Sequence, residues 1–264
     1  MNKIFIDRKI TCDNDNVKID GNTIWILSDG NYEIEYLNDG EYSLKIITNN
    51  NVNLLVSSFN NNIKTDIRYI VNDGKLNIYK FYNNHNVDEK VNIDLCNEQA
   101  TVEYKFANIC KEIEKYELNI NHIASKTYSN INNKTVSLKN SKVSFIINSS
   151  VLKEATGSIL NQNTRIVTMD DCDTSISPNM FTPLDNVEAK HGSIIGTFKD
   201  EDIFYIMSKG ISYNDTLKLM IKGYLLSNID IKHEIRKRIM DVIDEYWGWY
   251  IWIEKILLSL KIVI

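Results

Sequence analysis

Between Val187 and Gly210 the chain reads Val187-Glu-Ala-Lys190-His191-Gly192-Ser-Ile-Ile-Gly196-Thr-Phe-Lys-Asp200-Glu-Asp-Ile-Phe204-Tyr205-Ile-Met-Ser-Lys-Gly210. Two kinds of sequence meet in this stretch. On its N-terminal side apolar residues alternate with polar ones or sit in short Ile/Val runs between Asn, Asp and Gly, the signature of strands and turns. On its C-terminal side they recur every three or four residues, the helical period. His191 therefore stands at the end of a strand, where a strand-built body (residues 1–196) gives way to a helical region (residues 197–264). Gly192, which follows it, is small enough for a second backbone to approach.

Upstream, short strands follow one another: Ile24 to Leu27, Tyr32 to Tyr36, Tyr42 to Ile46, Val52 to Leu54, Ile67 to Tyr69, Leu76 to Tyr79 and Val91 to Ile93. They continue at Val102 to Tyr104, Leu118 to Ile120, Thr135 to Leu138, Val143 to Ile147, Gly157 to Leu160 and Thr164 to Val167. Asp29-Gly30, Asp39-Gly40 and Asp73-Gly74 read as tight turns between strands. Such spacing fits a sandwich, a barrel or a solenoid. A parallel β-helix, with coils about 4.8 Å apart, would bury a continuous column of Ile, Val and Leu. Periodicity alone leaves the three open.

Downstream, Asp200 is placed to cap a short helix carrying Ile203, Phe204 and Met207 and stopped by Gly210. Ser212 with Asp215 forms a capping-box pattern and opens a second helix, with Leu217, Met220, Ile221, Tyr224 and Leu225 on one side. A third helix is expected from about Ile231 through Ile243. The tail beyond Tyr246 is strongly apolar, but Glu254, Lys255 and Lys261 interrupt it before it reaches the ~20 residues of a membrane span. It reads as a helix packed on the body or on a partner, with a helix lying on a membrane surface as the alternative.

The residues around His191 resemble the C-terminal signature of the SufB/SufD family, the scaffold subunits of SUF-type iron-sulfur cluster assembly. In that family a strand ending in His-Gly or His-Glu is followed by a short acidic link, an aromatic pair like Phe204-Tyr205, a Gly-Ile step like Gly210-Ile211 and an amphipathic helix. The resemblance runs from about His122 to Ile229. It passes through His122-Ile123 with Thr127 and Ser129, and through Cys172-Asp173-Thr174, which is similar to the Cys-Asp-Ser of SufB-type chains. It implies a mainly β fold, a right-handed parallel β-helix followed by a small C-terminal helical domain. Asn132-Asn133 and Asn161 to Asn163 would then be turn residues at coil corners.

The same resemblance implies partners and a site. A SufC-type ABC ATPase would dock on the C-terminal helices through Phe204, Tyr205, Leu217, Met220, Ile221 and Tyr224. A second SufB/SufD-type chain would pair with the last β-helix strands, residues 187–196. In SufD-type chains a His at this place faces a Cys of the SufB-type chain across the interface. His191 and Cys172 are thus candidate ligands for a transient iron-sulfur cluster, shared at the dimer interface and not stably bound. Imidazole and thiolate are suitable donors for iron. The separation of Cys172 from His191 is close to one solenoid coil of roughly 20 residues, so the two are expected to stack on one face. Lys190 would favour the thiolate there. Gly192 is SufD-like whereas Cys172-Asp173 is SufB-like, a mixture that suits a homodimer. The chain departs from the family pattern in its apolar tail and in lacking the usual N-terminal helical region.

Composition narrows the remaining possibilities. A net charge of −5 over 264 residues, with no dominant basic face, argues against nucleic acid as a partner. The abundant Asn, beside 2 Pro and 10 Gly, is read as compositional bias with no functional meaning. Asp7 and Arg8 break the first apolar run too early for a signal peptide, so a cytoplasmic location is expected. Cys12, Cys96, Cys110 and Cys172 include no Cys-x-x-Cys, which speaks against a preformed zinc or stable cluster site within one chain. Among the remaining histidines, His122 is expected to support a coil, His85 to sit in a solvated loop and His233 among helix charges. No P-loop or Gly-x-Ser-x-Gly supports ATP hydrolysis or acyl transfer. The reading is a non-enzymatic scaffold. Its alternatives are a carbohydrate-active or acyl-transferring enzyme on a β-solenoid, and a purely structural solenoid.

Overall fold

In a computed structural model the chain is described over residues 2–12, 14–183, 185–229 and 236–245. It divides into two units, Met1–Gly196 and Thr197–Ile264. The first unit consists of two facing sheets. One runs, in spatial order, β2 (Ile10–Cys12), β1 (Asn2–Ile6), β5 (Gly30–Tyr36), β7 (Val52–Ser58), β9 (Lys75–Tyr82), β11 (Thr101–Cys110), β13 (Tyr128–Ser137), β15 (Ile159–Thr168) and β17 (Glu188–Gly196). The other runs β3 (Val17–Asp20), β4 (Thr23–Ile26), β6 (Gly40–Thr48), β8 (Asn62–Val71), β10 (Asn86–Leu95), β12 (Ile113–His122), β14 (Lys142–Val151) and β16 (Asp173–Phe181).

From β4 onward odd strands join one sheet and even strands the other, and each new pairing is parallel. That winding is the parallel β-helix implied by the family resemblance. The coil lengthens along the chain: Gly30 stacks on Val52 near the start, whereas the more widely separated Lys142 and Asp173 are stacked near the end. Strand β8 shows why the sequence folds this way. Its residues alternate exposed and buried without interruption over most of its length, putting Ile63, Thr65, Ile67, Tyr69 and Val71 inside. Stacked in register, such positions form continuous columns; Tyr32, Leu54, Ile78, Tyr104 and Ile131 make one of them, all buried.

The asparagines have a structural use that composition did not reveal. On the outer face Asn119 Nδ2 donates to Asn92 Oδ1 (3.1 Å), Asn148 Nδ2 to Asn119 Oδ1 (2.8 Å) and Asn179 Nδ2 to Asn148 Oδ1 (2.9 Å). A second ladder joins Asn31, Asn53 and Asn77 on the opposite sheet. Identical amides stacked one coil apart satisfy each other's donor and acceptor, as in other cross-strand stacks. The expected corner residues Asn132, Asn133 and Asn161 to Asn163 lie instead inside β13 and β15. The Asp-Gly pairs turn the chain from one sheet into the other and do not close hairpins. At Gly74 (φ +74°) an added Cβ would come within 2.9 Å of the Asn50 backbone, so this corner requires glycine. Strand β16 carries Pro178 and has no sequence signal of its own; it is the last strand of its sheet, where proline is tolerated.

In the second unit the helix α1 (Asp200–Met207) begins one residue earlier than the expected cap implies. Lys199 is the N-cap and makes no side-chain cap bond, so Asp200 is the first helical residue. There it joins Glu201 and Asp202 in an acidic first turn, favoured by the helix dipole. The helix α2 (Tyr213–Leu226) starts as expected, with Ser212 Oγ accepting from the Asp215 amide and donating to its carboxylate at 2.7 Å. A third helix, α3, covers residues 236–245, and Lys222 Nζ of α2 meets the Asp244 carboxylate at 2.7 Å. Leu217, Ile221, Leu225, Ile239 and Ile243 are buried. The beginning of the third expected helix, His233 and the apolar tail lie outside the described residues. No helix among the described residues is long and apolar enough to cross a membrane.

Candidate functional site

The two ends of the β-helix differ. At the first, β2 pairs antiparallel with β1 and β3 antiparallel with β4, so each sheet is closed by a returning strand. Ile10, Cys12 and Val17 pack against the core there. At the other end β17 pairs, among the described residues, only with β15, and residues 188–195 are exposed although half of them occupy inward-facing positions.

His191 lies in this open coil. It is the fourth residue of β17, not the end of a strand as expected, because Ser193-Ile194-Ile195 continues the ladder beside Thr164 to Ile166. Its register partner is Gln162, which is inward-facing and 3% exposed, so His191 takes an inward position in a coil that nothing closes among the described residues. Its ring makes no hydrogen bond among the described residues. In the same coil Ile195 is 47% exposed, whereas its register partner Ile166 is fully buried. An added Cβ at Gly192 would meet only Asn163 Oδ1 at 3.5 Å, and at Gly196 nothing within 4 Å. Packing among the described residues therefore does not require either glycine.

Cys172 does not join His191 within one chain. It is half-buried at the corner before β16, where the neighbouring Asp173 amide donates to Ser141 O at 2.9 Å and the Asp173 carboxylate meets Lys142 Nζ at 2.6 Å. One coil at this end runs from Gln162 to His191, so Cys172, which lies between them in sequence, falls elsewhere in the turn. Its corner follows the end of β15, near the Gly196 end of β17. At ~3.3 Å per strand residue, roughly 15–20 Å along the strand separates it from His191. The expected same-face stacking fails because the coil is longer here than the minimal solenoid repeat.

Other polar groups fill the interior of the helix. His122 is buried, with Nδ1 paired to Thr127 Oγ1 (2.7 Å) and Nε2 to Ser129 Oγ (2.9 Å); burial pulls its pKa down to about 4. It supports a coil, as expected, and is bound to the very Thr and Ser that the family resemblance picks out. Lys80 and Glu89 form a fully interior ion pair, and the Glu89 carboxylate also accepts from Tyr82 OH (2.9 Å) and Thr65 Oγ1 (3.0 Å). Burial lowers the Lys80 pKa, opposed by the Glu89 charge. Glu114 accepts from Asn108 and from Tyr116 OH (2.8 Å), and burial pushes its carboxyl up to about 8. The neighbouring Cys110 thiol is pushed upward by burial and by Glu114, which makes it unreactive. The sequence reading missed this polar interior. Its signal was parity: in Val87-Asp-Glu89-Lys-Val91 the Glu shares the inward face with the two valines. His85, read as a solvated loop residue, is exposed and paired with Glu112 at 2.9 Å.

In the second unit the residues expected to meet a partner separate into two groups. Leu217 and Ile221 are buried, and Met220 and Tyr224 are half-buried, with Tyr224 edge-on to Phe198. A helical apolar stripe shows that a face is covered without saying by what. Phe204 (73% exposed) and Tyr205 (64%) are open to solvent, as are Tyr213 and Leu219.

Residues 43–224 match the family model for the SufBD core domain of the SUF system for FeS cluster assembly. Over 65 residues, 23% of this chain and 15% of the relative, the sequence is 36% identical to an iron-sulfur cluster assembly SufBD family protein of Pyrococcus horikoshii. Over 96 residues, 34% of this chain and 24% of the relative, it is 30% identical to a protein of the same description from Mycobacterium leprae. The matched segments thus span no more than 24% of the length of these relatives. With the β-helix and its C-terminal helices in place, the family-model match across most of the chain identifies it as a member of the SufBD family of the SUF system for iron-sulfur cluster assembly.

Proposed function

We propose that the chain is a non-enzymatic scaffold subunit of cytoplasmic SUF-type cluster assembly, which pairs with a second copy of itself through the open coil and docks a SufC-type ATPase on its helical unit. The observation that carries this reading is β17, a strand with both faces exposed, a backbone edge unpaired among the described residues, and His191, Ile194 and Ile195 displayed on it. An unpaired strand edge with exposed apolar side chains favours addition of another strand. The dispensable side-chain space at Gly192 and Gly196 leaves room for that strand. The iron-sulfur cluster is cargo, held transiently at the joint between chains. His191 supplies an imidazole donor there, and the thiolate comes from Cys172 of the second chain once the joint forms.

The helical unit supports the second partner. Phe204 and Tyr205 stand out from α1, and no residue of that helix is buried, so its aromatic side chains are available to an apolar groove. Because Leu217 and Ile221 are buried, a test of docking uses the exposed pair, Phe204→Asp with Tyr205→Asp. Loss of co-purification with the ATPase, with unchanged helical circular dichroism, is expected; retained co-purification would remove the helical unit from the proposal. For the cluster itself, the test is anaerobic reconstitution with iron, sulfide and the ATPase, read as bound iron, bound sulfide and visible absorption. Wild type should load and His191→Ala should not. Equal loading of the two would refute the site.

A further inference from the structure

Deep in the last closed coil, the Gln162 side chain crosses from one sheet to the other. Its Nε2 donates to Ser149 Oγ (2.6 Å) on β14 and to the Asn179 carbonyl (3.3 Å) on β16, which fixes the amide plane between two layers of the facing sheet. Its other polar atom, Oε1, is buried and has no hydrogen-bond partner among the described residues. A buried acceptor without a donor costs about 1–3 kcal/mol, so native structures rarely leave one unused. The other buried amide and carboxylate oxygens that lack donors, at Asn83, Asn84, Glu114 and Asn133, belong to coils further from the open end. Gln162 alone among them has as its next neighbour along the column an exposed residue that carries a ring N–H.

We infer that Gln162 is the positioning residue for His191, its orphan Oε1 accepting one imidazole N–H when a second chain covers the open coil. Neighbouring strands are about 4.8 Å apart and both side chains face inward, so a Gln carbonyl and an imidazole nitrogen in register are within reach of each other. The bond would fix the tautomer and ring orientation, leaving the second ring nitrogen as the free donor atom. Histidine ligands to metals are commonly held in this way by an acceptor on the far nitrogen. The inference rests on the proposed pairing of two copies at the open coil, and its test is read on the dimer, independently of any cluster.

The test is nitrogen-15 NMR of the His191 ring in the metal-free full-length chain at alkaline pH. Wild type is compared with Gln162→Met, which keeps side-chain length and removes the acceptor, and with Gln162→Glu, which keeps an acceptor oxygen. One dominant tautomer is expected in wild type, a mixture in Gln162→Met, and a restored preference in Gln162→Glu. A mixture already in wild type, or an unchanged tautomer in Gln162→Met, overturns the inference, as does loss of the preference in Ser193→Ala alone, which would make the nearby hydroxyl the true partner. If the ring behaves as expected while His191→Ala still loads cluster, the positioning stands and the cluster role of His191 falls.

Discussion

The first and last coils of the β-helix solve the same problem in opposite ways. A solenoid leaves a row of unpaired backbone groups and an uncovered core at each end. At the first end two hairpins fold β2 and β3 back over the sheet edges, and Ile10, Cys12 and Val17 close the interior. At the last, β17 presents its edge, and Ile195 takes an inward position with nothing over it among the described residues. An end left open with apolar residues, as this one is among the described residues, is a cost for an isolated chain. It becomes intelligible if the open end is an interface, and the histidine of the family signature is found there.

The contrast can be broken most severely from the inside. Lys80→Met leaves Glu89 as an uncompensated charge in the closed interior and should cost about 3–5 kcal/mol in urea unfolding. Adding Glu89→Leu should recover most of that loss. If Lys80→Met is tolerated, the closed coils are wetter than their burial indicates. Next in size is a paired test along one column. Ile166→Ala should cost about 2–5 kcal/mol, as truncation of a buried Ile does, whereas Ile195→Ala, one coil further on, should cost under about 1 kcal/mol in the dissociated chain. Equal costs would show that the open coil is covered within a single chain.

A smaller effect depends on pH. Glu114 has its pKa raised from 4.5 to about 8 by burial, so the folded chain holds a proton there that the unfolded chain releases. Its contribution is fully present below pH 4.5 and is lost as pH rises towards about 8. His122 acts in the opposite sense: its pKa falls from 6.5 to about 4, so its contribution is present above 6.5 and is lost as pH falls towards about 4. Urea midpoints of Glu114→Gln against wild type, measured from mildly acidic to mildly alkaline pH, should show the wild-type decline flattened in the variant. Parallel curves would mean that the Glu114 carboxyl is not buried in solution.

Much of the β-helix was legible because alternation is local: β8 and β10 announce their inward faces residue by residue. Coil length was not legible, since it is set by corner insertions such as the segment around Gly157 that leave no periodic trace. That is why Cys172 and His191 were expected to stack and do not. For the same reason β16 went unseen, its strand character coming from pairing with β14 and not from its own Asp-Thr-Ser-Ile-Ser-Pro. The position of His191 was legible through a motif, and its exposure was not, because exposure depends on what lies beyond the last coil. The same limit applied to Leu217 and Ile221, whose periodicity identified an apolar face without telling inside from outside.

Sedimentation equilibrium of the full-length chain tests the open coil most directly, comparing wild type with Ile195→Lys, which places a charge on the exposed inward face of β17. Wild type should sediment as a dimer and Ile195→Lys as a folded monomer with an unchanged β-sheet spectrum. A wild-type monomer at all concentrations, or a dimer that survives the charge, would contradict the assignment of this coil as the joint between two copies.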